Sequence, residues 1–351
     1  MSDPVLIYGA AGYTGRIIVQ EALRLRIRPI LGGRSESKLA PIAERLGLEY
    51  RIASLTEPHA LDAALQDVRA VLHVAGPFSE TARPMAEACL RTGTHYLDIT
   101  GEAAVIEALA QRHREACSRR IMLMPAVGFD VVPSDCLAAH VAARLPSATQ
   151  LSIGVRGMEL VTRGSARTFM EHAGRGILVR RNGVTATVPP GSLRHDFDYG
   201  DGLRPSVNVT WGDVVTAHYT TGIPNIDVYF ESTPLFRNSE LVNRYAGQML
   251  ATAPGQVWLK LHADLLPEGP TDAQRASVNM VIVAEAHDAN GNSVCSRLRT
   301  PQAYTFTGPT AIAVVQRVLR GDVELGFQTP ARVYGADFVL SLPDVRREDI
   351  A

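Results

Sequence analysis

Three glycines near the start of the chain, Gly9, Gly12 and Gly15, have a spacing suited to binding a phosphate group. They follow the short apolar run of residues 5–8 and precede a segment with the apolar spacing of a helix. Such a strand, turn and helix start directs backbone N–H groups and the positive end of a helix dipole at an anion. The pattern therefore predicts a site for the pyrophosphate of a dinucleotide, formed by Gly9, Ala11, Gly12, Tyr13, Thr14 and Gly15. A glycine turn without a ligand is the alternative interpretation.

A basic cluster follows the second apolar run, about 20 residues after the glycines. A carboxylate at this position usually holds the ribose hydroxyls of NAD, but here Arg34 and Ser35 occupy it, with Lys38 one turn later. Because cationic and hydroxyl groups suit a 2′-phosphate, we expect NADP as the cofactor. Glu36 opposes this interpretation, and the alternative is that Arg34 is a solvated residue at a helix entrance.

The segment 128–135 is the first place to look for catalytic groups, because it follows an apolar strand and carries two carboxylates beside a helix start. Hydride transfer to or from a nicotinamide requires a group that supplies or removes a proton. Asp130 is therefore predicted to be catalytic. The alternative role of Asp130 or Ser134 is to cap the helix that begins near Asp135.

Two further sets of side chains have the chemistry of an active site. His172 lies on a predicted helix over residues 165–175, where it could donate a proton near neutral pH while Arg167 binds a substrate carboxylate. An ordinary exposed helix surface is the alternative for both. Tyr96 and Asp98 share one face of a predicted strand, so we expect them either to bond each other or to contact a ligand.

The elements that must position these residues alternate between strand and helix up to about residue 145. This alternation predicts a Rossmann-type, doubly wound parallel sheet with helices on both faces. Ligands of such sheets lie beyond the carboxyl ends of the strands. The strand ends that we expect to contact the cofactor, besides the glycine turn and the basic cluster, are Ser54, Ala75, Gly76, Pro77, Phe78 and Gly101.

The pattern changes near residue 150, where alternating strands and hairpin signals replace the earlier order. Hairpins are predicted at residues 180–184 and around Asp288-Ala289-Asn290-Gly291. The fold class is therefore α/β, with an N-terminal Rossmann domain and a second α+β domain. We assign residues 1–148 to the NADP-binding domain, completed by 326–351, and residues 149–325 to a domain for substrate binding or dimerisation.

Composition narrows the range of partners. The 351 residues, 46% of them hydrophobic, suffice for about two cores, and a formal net charge of -1 provides no basic field for nucleic acid. No run approaches the roughly 20 apolar residues of a membrane span, so we expect no integral span. The four cysteines are far apart, which argues against a metal site and against a disulfide framework. We expect a cytoplasmic protein.

Five motifs in order resemble successive signatures of the saccharopine dehydrogenase-like oxidoreductases. The resemblance is specific over residues 5–145 and thinner afterwards, where it rests on residues 163–165, 180–183 and 326–331. The five motifs are GAAGYTG at 9–15, GRSESKL at 33–39, AGPF at 75–78, THYLDITGE at 94–102 and GFDVVPSD at 128–135.

The resemblance implies an NADP-dependent oxidoreductase with a Rossmann domain, a second α+β domain and commonly a homodimer. It does not imply saccharopine as the substrate, because this branch includes the mycobacterial trans-acting enoyl reductases and animal relatives whose substrates differ. The relatives more often have Gly-Thr after another glycine where this chain has Arg163, Gly164 and Ser165. This departure argues against transferring a substrate from them.

We therefore expect an oxidoreductase that uses NADP to transfer a hydride to or from a small or lipid-like substrate in a cleft between the two domains. The reaction stays open among imine, carbonyl and enoyl reduction. A non-catalytic NADP-binding redox sensor or regulatory protein is the alternative from another class. A third interpretation, an extended short-chain dehydrogenase, would need a Tyr followed four residues later by Lys, and the chain has no such pair.

Overall fold

The computed structural model describes residues 4–171 and 174–350, without the side chains of Glu171, Ser239, Lys260 and Asp264. The chain divides into two compact units. The first contains the residues up to Val132 together with Tyr304–Tyr334, and the second contains Pro133–Ala303 together with the residues from Gly335 onward. Each unit is therefore built from two separate stretches of sequence.

The first stretch of the chain alternates strands with helices. Its elements are β1 (Val5–Tyr8), α1 (Tyr13–Arg24), β2 (Ile30–Gly33), α2 (Glu36–Leu46), β3 (Tyr50–Ile52), α3 (Pro58–Leu65), β4 (Ala70–His73), α4 (Phe78–Thr92), β5 (His95–Asp98), α5 (Ala103–Ala110), α6 (His113–Ser118) and β6 (Met122–Met124). Most of these strands are buried along their whole length, which is typical of a parallel sheet covered on both faces.

The rest of the chain first forms a mixed set of elements and then returns to the first unit. The mixed set is α7 (Val132–Arg144), β7 (Ala148–Arg156), α8 (Arg163–Glu171), β8 (Ile177–Arg181), β9 (Val184–Val188), β10 (Arg194–Asp198), β11 (Leu203–Asn208), α9 (Asp213–Thr221), β12 (Asn225–Glu231), α10 (Pro234–Leu250), α11 (Ala253–Asp264), α12 (Asp272–Ala276), β13 (Asn279–Asp288) and β14 (Ser293–Pro301). The last elements are α13 (Ala303–Leu319), β15 (Gly326–Phe327), α14 (Pro330–Tyr334), a short 3-10 helix (Phe338–Ser341) and β16 (Arg346–Ile350).

The first unit contains a seven-stranded parallel sheet in the order β15-β6-β5-β4-β1-β2-β3. From the boundary between β1 and β4, strands β2 and β3 follow on one side and β5, β6 and β15 on the other. This reversal of strand order is typical of a doubly wound nucleotide-binding sheet. Tyr8 of β1 aligns with His73 of β4, which aligns with Asp98 of β5, so the carboxyl ends of these strands reach one edge together. The predicted Rossmann-type fold is confirmed.

The second unit contains a nine-stranded mixed sheet. Seven strands follow the order β10-β11-β12-β7-β13-β14-β16, and the hairpin of β8 and β9 joins through β12. Strands β12 and β7 are parallel, whereas the other pairs are antiparallel. This is the second α+β domain that the sequence predicts, with both predicted hairpins present as β8–β9 and β13–β14.

The end of the predicted first domain differs from the compact unit in the structure. The sequence places residues 133–148 with the first domain, but α7 lies in the second unit. The guanidinium of Arg144 on α7 donates to the carbonyl oxygen of Cys295 and to the hydroxyl of Ser296, both at 2.7 Å. These bonds to β14 fix the end of α7 on the second sheet.

The division of the C-terminal residues between the two units also differs from the predicted domains. Helix α13, predicted within the second domain, lies in the first unit, where the hydroxyl of Thr307 accepts from the backbone N–H of Phe129 at 3.2 Å. Of the predicted completing segment 326–351, β15 pairs with β6 of the first sheet, whereas β16 pairs with β14 of the second. Helix α14 ends before Gly335, whose φ of 83° is left-handed.

Among the described residues, no helix combines the length and the hydropathy needed to cross a bilayer. Gln111 and Arg112 separate α5 from α6. The differences in domain limits leave the carboxyl ends of the parallel strands, where the candidate site lies, in their predicted order.

Gly154 of β7 lies in tight contact with two aromatic side chains of the second unit. A Cβ added at Gly154 of β7 would lie 2.6 Å from Cδ2 of Phe197 and 2.8 Å from the hydroxyl oxygen of Tyr199, and both aromatic residues are buried. Gly154→Ala therefore overpacks this core, and we expect a loss of about 1–3 kcal/mol of unfolding free energy in chemical denaturation.

The matched control is Gly164→Ala on α8, where the nearest atom to an added Cβ is the Thr162 hydroxyl oxygen at an ordinary 3.6 Å. Alanine favours a helix over glycine, so this variant should be neutral or slightly more stable than the wild type. Equal stabilities for both variants would show that Phe197 does not pack against β7 as described.

Candidate functional site

The glycine turn after β1 is held by backbone contacts that exclude side chains. Gly9 has a left-handed φ of 93°, and its N–H donates to the Gly32 carbonyl oxygen at 2.8 Å. The Gly12 N–H donates back to the Gly9 carbonyl oxygen at 3.0 Å. A Cβ at Gly15 would overlap that same carbonyl oxygen. Glycine is therefore required at the first and third positions by geometry alone.

The N-terminus of α1 faces out of this turn without a side-chain cap. Gly12 occupies the N-cap position in extended conformation, and no acidic residue lies in the first turn, which begins with Tyr13 and Thr14. The guanidinium of Arg16 donates to the carbonyl oxygen of Ala11 at 2.8 Å. An uncapped N-terminus with a cation in its first turn suits an anionic ligand.

The turn meets the end of β4 where the strand order reverses. A Cβ added at Gly9 would lie 2.9 Å from both Cβ and N of Ala75. Residues after these two strands therefore line the point of reversal, where doubly wound sheets bind their ligands. The structure thus brings Gly9, Gly12, Gly15 and Ala75 together, as the sequence predicts.

The predicted basic cluster follows β2 at the same edge. Arg34 and Lys38 are exposed, and Ser35 occupies the N-cap position of α2. The opposing residue Glu36 accepts a long hydrogen bond of 3.4 Å from the hydroxyl of Tyr50. This contact directs Glu36 toward β3, while Glu36 itself stays exposed, as Arg34 and Lys38 are.

The position of Arg34 is also reflected in the titration of a neighbouring tyrosine. The hydroxyl of Tyr8 donates to the carbonyl oxygen of Ala53 at 2.8 Å. Burial raises the pKa of Tyr8 to about 12, and the positive charge of Arg34 opposes that rise. Arg34 therefore lies within electrostatic reach of the hydroxyl of Tyr8, the last residue of β1.

A buried carboxylate caps α4, which begins in the loop after β4. Oε1 of Glu102 accepts from the N–H of Phe78 at 2.8 Å, and Oε2 accepts from the N–H of Ser79 at 3.0 Å. Glu102 is only 6% exposed. The N-terminus of α4 is thus satisfied internally, whereas that of α1 has no side-chain cap, so the two helix starts at this edge differ in their suitability for an anion.

The predicted catalytic residue Asp130 lies against the backbone after β5. A Cβ added at Gly101 would lie 2.8 Å from Oδ2 of Asp130 and 3.1 Å from its Cβ, so glycine at 101 makes room for this carboxyl. Burial raises the pKa of Asp130 to about 7, and the negative charge of Glu102 adds to the effect. A carboxyl that titrates near neutral pH can both donate and accept a proton.

The buried carboxylate of Asp98, at the end of β5, holds the neighbouring backbone at the same edge. Oδ2 of Asp98 accepts from the hydroxyl of Tyr96 at 2.6 Å, and Oδ1 accepts from the N–H groups of Thr100 and Ala126 at 2.9 and 2.8 Å. Burial raises the pKa of Asp98 to about 6, against the opposing effect of these hydrogen bonds. The pair of Tyr96 and Asp98 predicted from the sequence is therefore a structural link between β5 and the segment after β6.

The other predicted residues fall into two groups. Ser54, Gly76 and Pro77 lie at the expected strand ends, and the Ser54 hydroxyl is 2.8 Å from that of Thr56 in a local turn. The predicted second catalytic residue, His172, lies outside the described residues, and its predicted neighbour Arg167 belongs to the second unit. The cofactor candidates and Asp130 therefore lie along the same edge of the first sheet.

Sequence reasoning missed two contributions from α13. The ring of Tyr304 lies edge-on to that of Tyr13 with centroids 5.7 Å apart, beside the glycine turn. Thr307 packs against Gly128 and bonds Phe129 in the segment that leads to Asp130. No spacing signal connects residues that are 178 positions apart or more, so only the fold could have shown these contacts.

The chemistry of this edge is that of backbone amides, cations and carboxyls. Within residues 4–171 and 174–350, no group of three or more His, Cys, Asp or Glu side chains is arranged to hold a metal ion. The arrangement suits a phosphate-bearing cofactor next to a group that transfers protons.

Comparison with known proteins identifies the first part of the chain. Residues 5–124 match the family described as the saccharopine dehydrogenase NADP binding domain. A saccharopine dehydrogenase-like oxidoreductase of Bos taurus is 27% identical over 151 residues, which cover 37% of this chain and 35% of that protein. A trans-acting enoyl reductase of Mycobacterium leprae (strain TN) is 31% identical over 139 residues, covering 37% of this chain and 33% of that protein. The chain thus spans about a third of the length of the curated relatives it matches.

The whole fold resembles a solved structure, apo histidine-tagged saccharopine dehydrogenase (L-Glu forming) from Saccharomyces cerevisiae. The TM-score is 0.65 at 12% sequence identity, and the match covers 99% of this chain and all of the other. At this identity the likeness shows the fold alone. The resemblance predicted from the motifs is confirmed for residues 5–124, which match the NADP-binding domain of the saccharopine dehydrogenase family.

The hydrogen bonds of Glu102 to the start of α4 should contribute to the stability of the protein. Glu102→Gln keeps the size of the side chain but removes its charge and one of the two acceptor oxygens that bond Phe78 and Ser79. We expect a loss of about 1–3 kcal/mol of unfolding free energy, measured by urea denaturation, because a helix start is left partly unsatisfied.

The matched control is Glu44→Gln, which makes the same chemical change at an exposed position on α2. This variant should unfold within about 0.5 kcal/mol of the wild type. Equal stabilities for the two variants would contradict a capping role for Glu102.

Proposed function

We propose that this chain, whose residues 5–124 form a saccharopine dehydrogenase-type NADP-binding domain, is an NADP-dependent oxidoreductase. It transfers a hydride to or from a small or lipid-like substrate that carries an imine, carbonyl or enoyl group. The observation that carries the proposal is the placement of Asp130, a carboxyl with a pKa near neutral, at the same sheet edge as the glycine turn. A cofactor domain and a proton-transferring group together are what hydride transfer requires.

The residues present fit the cofactor. Side chains at Gly9 and Gly15 would overlap neighbouring backbone, and α1 begins without a cap, which together make a cradle for a pyrophosphate. In this proposal Ala11, Gly12, Tyr13 and Thr14 complete that cradle. NADP, when bound, supplies or accepts the hydride at its nicotinamide ring.

The remaining predicted contacts surround the two ends of the dinucleotide. Arg34, Ser35 and Lys38 bind the 2′-phosphate, because two exposed cations and a hydroxyl follow β2. Other contacts come from the loops after β3, β4 and β5, through Ser54, Ala75, Gly76, Pro77, Phe78 and Gly101. The capped start of α4 holds the loop after β4 in place.

Asp130 supplies the proton in this mechanism. Its carboxyl lies against Gly101, and burial together with the charge of Glu102 keeps it protonated up to about pH 7. The protonated carboxyl donates to the substrate atom that gains negative charge during reduction. In the oxidative direction the carboxylate accepts that proton.

The proposed substrate class is broad because the matches to these two curated relatives cover 37% of this chain. The M. leprae relative is named an enoyl reductase, whereas the matched yeast structure is a saccharopine dehydrogenase, so the two names point to different reacting groups. We propose that the enzyme is a homodimer, as the family resemblance of the motifs implies, and that it acts in the cytoplasm.

Cofactor choice tests the proposal most directly. We expect calorimetric titration to show binding of NADPH, and Arg34→Ala to weaken it about 10- to 150-fold, because a charge-assisted hydrogen bond of about 1.5–3 kcal/mol is lost. NADH binding should change little, because NADH has no 2′-phosphate for Arg34 to contact.

Arg24→Ala at the far end of α1 is the matched control, since Arg24 is also exposed and pairs only with Glu21 among the contacts of the described residues. It should leave both affinities unchanged. If neither nucleotide binds the wild type, the proposed function fails. Binding without turnover of any substrate in a broad imine, carbonyl and enoyl panel would replace it with the redox sensor.

The pKa of Asp130 predicts a pH dependence of stability that needs no substrate. Its value in the folded protein is about 7 against an ordinary 3.8, so the folded state retains a proton that the unfolded state has already lost. The wild type should therefore lose stability relative to Asp130→Asn as pH rises from about 4 to about 7, and the difference in Tm should then level off.

Asp67→Asn provides the control, because Asp67 is exposed in the same unit. Its Tm difference from the wild type should show no rise of this kind over the same range. Once a substrate is found, reduction by the wild type should slow above about pH 7, and Asp130→Asn should be about a hundredfold slower or more. A Tm difference for Asp130→Asn that does not vary with pH would contradict the assigned titration.

A further inference from the structure

Helix α10 presents an apolar stripe to solvent. Leu241, Val242, Tyr245 and Met249 are 50%, 52%, 79% and 65% exposed. Because successive residues turn by about 100°, the spacing i, i+1, i+4 and i+8 places all four within a third of the helix circumference. A stripe of this kind on a helix that already packs in a domain indicates a missing partner.

The next helix, α11, repeats the same pattern. Val257, Trp258, Leu261 and Leu265 have the identical spacing i, i+1, i+4 and i+8, with Leu265 at the C-cap. They are 59%, 54%, 61% and 82% exposed. The two helices therefore carry matching solvent-facing stripes, which we call the α10–α11 face.

The opposite sides of both helices hold them in the second unit. Leu250 of α10 and Leu259 and Ala263 of α11 are buried, and α11 packs against both α8 and α10. The amide of Gln256 on α11 donates to the carbonyl oxygen of Leu250 at 3.0 Å. The apolar residues of the α10–α11 face are thus an addition to the residues that fold these helices.

The size and composition of the α10–α11 face fit a protein partner. Eight side chains that expose roughly 100 Å² each offer on the order of 800 Å², which is what each partner buries in a standard interface. Tyr, Trp, Met and Arg are enriched at the centres of such interfaces. Tyr245, Trp258 and Met249 belong to the face, and the guanidinium of Arg244 lies 5.8 Å from the centre of the Tyr245 ring.

The charges around the face argue against a lipid surface as its partner. Residues 234–265 contain three cations, Arg237, Arg244 and Lys260, and two anions, Glu240 and Asp264. Recognition of an anionic membrane requires clusters of about 4–8 basic residues. The whole chain, with a formal net charge of -1, adds no positive field.

We propose that a second copy of this chain covers the α10–α11 face, so that the same two helices from both copies meet across a twofold axis. The inference rests on the homodimer in the proposed function and assigns its interface. A twofold interface uses the same surface on both copies. Two chains that meet through this face therefore cover the apolar residues of both copies.

The test is light scattering after size-exclusion chromatography of the full chain over a range of concentrations. The wild type should have twice the 37.9 kDa mass of the single chain. Leu261→Glu and Tyr245→Glu should each shift it to the monomer or weaken the dimer about thirtyfold or more, because each places two charges in the apolar contact. Circular dichroism should show both variants folded, since the substituted side chains face solvent.

The matched control is Leu203→Glu, which changes another exposed leucine of the second unit, 71% exposed and remote in sequence from both helices. This variant should remain a dimer. A folded dimer that resists both helix variants would overturn the interface and leave the homodimer standing, whereas a monomeric wild type would overturn both. A monomer that binds vesicles of phosphatidylcholine and phosphatidylserine, and loses this binding in Leu261→Glu, would overturn the proposal in favour of a membrane surface.

Discussion

The architecture of the first unit depends on a close backbone approach between Gly9 and Ala75. The two residues follow neighbouring parallel strands at the point where strand order reverses, and a side chain at Gly9 would lie too close to Ala75 to be accommodated. With glycine there, the chain turns directly into α1 and leaves an uncapped helix start at the sheet edge. The absence of a Cβ at Gly9 therefore fixes the position of the turn that forms the candidate phosphate site.

Three carboxyl groups at the same edge differ in their structural roles because they contact different groups. Asp98 accepts three hydrogen bonds and joins β5 to the segment after β6, and Glu102 caps α4 through two N–H groups. Asp130 lies against Gly101 within the field of Glu102, which raises its pKa together with burial. A carboxylate that stabilises a helix therefore also tunes the group assigned to proton transfer.

The sequence predicted the parallel sheet and the strand ends that form the candidate site, because both follow from local patterns. Glycine spacing and the alternation of apolar runs are short-range signals, and Gly9 and Arg34 lie where those signals place them. The cap by Glu102 was not predicted, because it joins residues more than 20 positions apart through side-chain geometry that no periodicity encodes. The roles of the cofactor-binding residues and of Asp130 remain predictions.

The domain limits were the least predictable feature, and they have a consequence for how the chain is made. The first 132 residues leave the ribosome without β15, so β6 is an open sheet edge, and without Thr307, which bonds Phe129. More than 190 further residues must be synthesised before β15 can pair with that edge. The nascent first unit therefore remains incomplete while the second is being translated, which makes it a natural client for chaperones that shield unpaired strands.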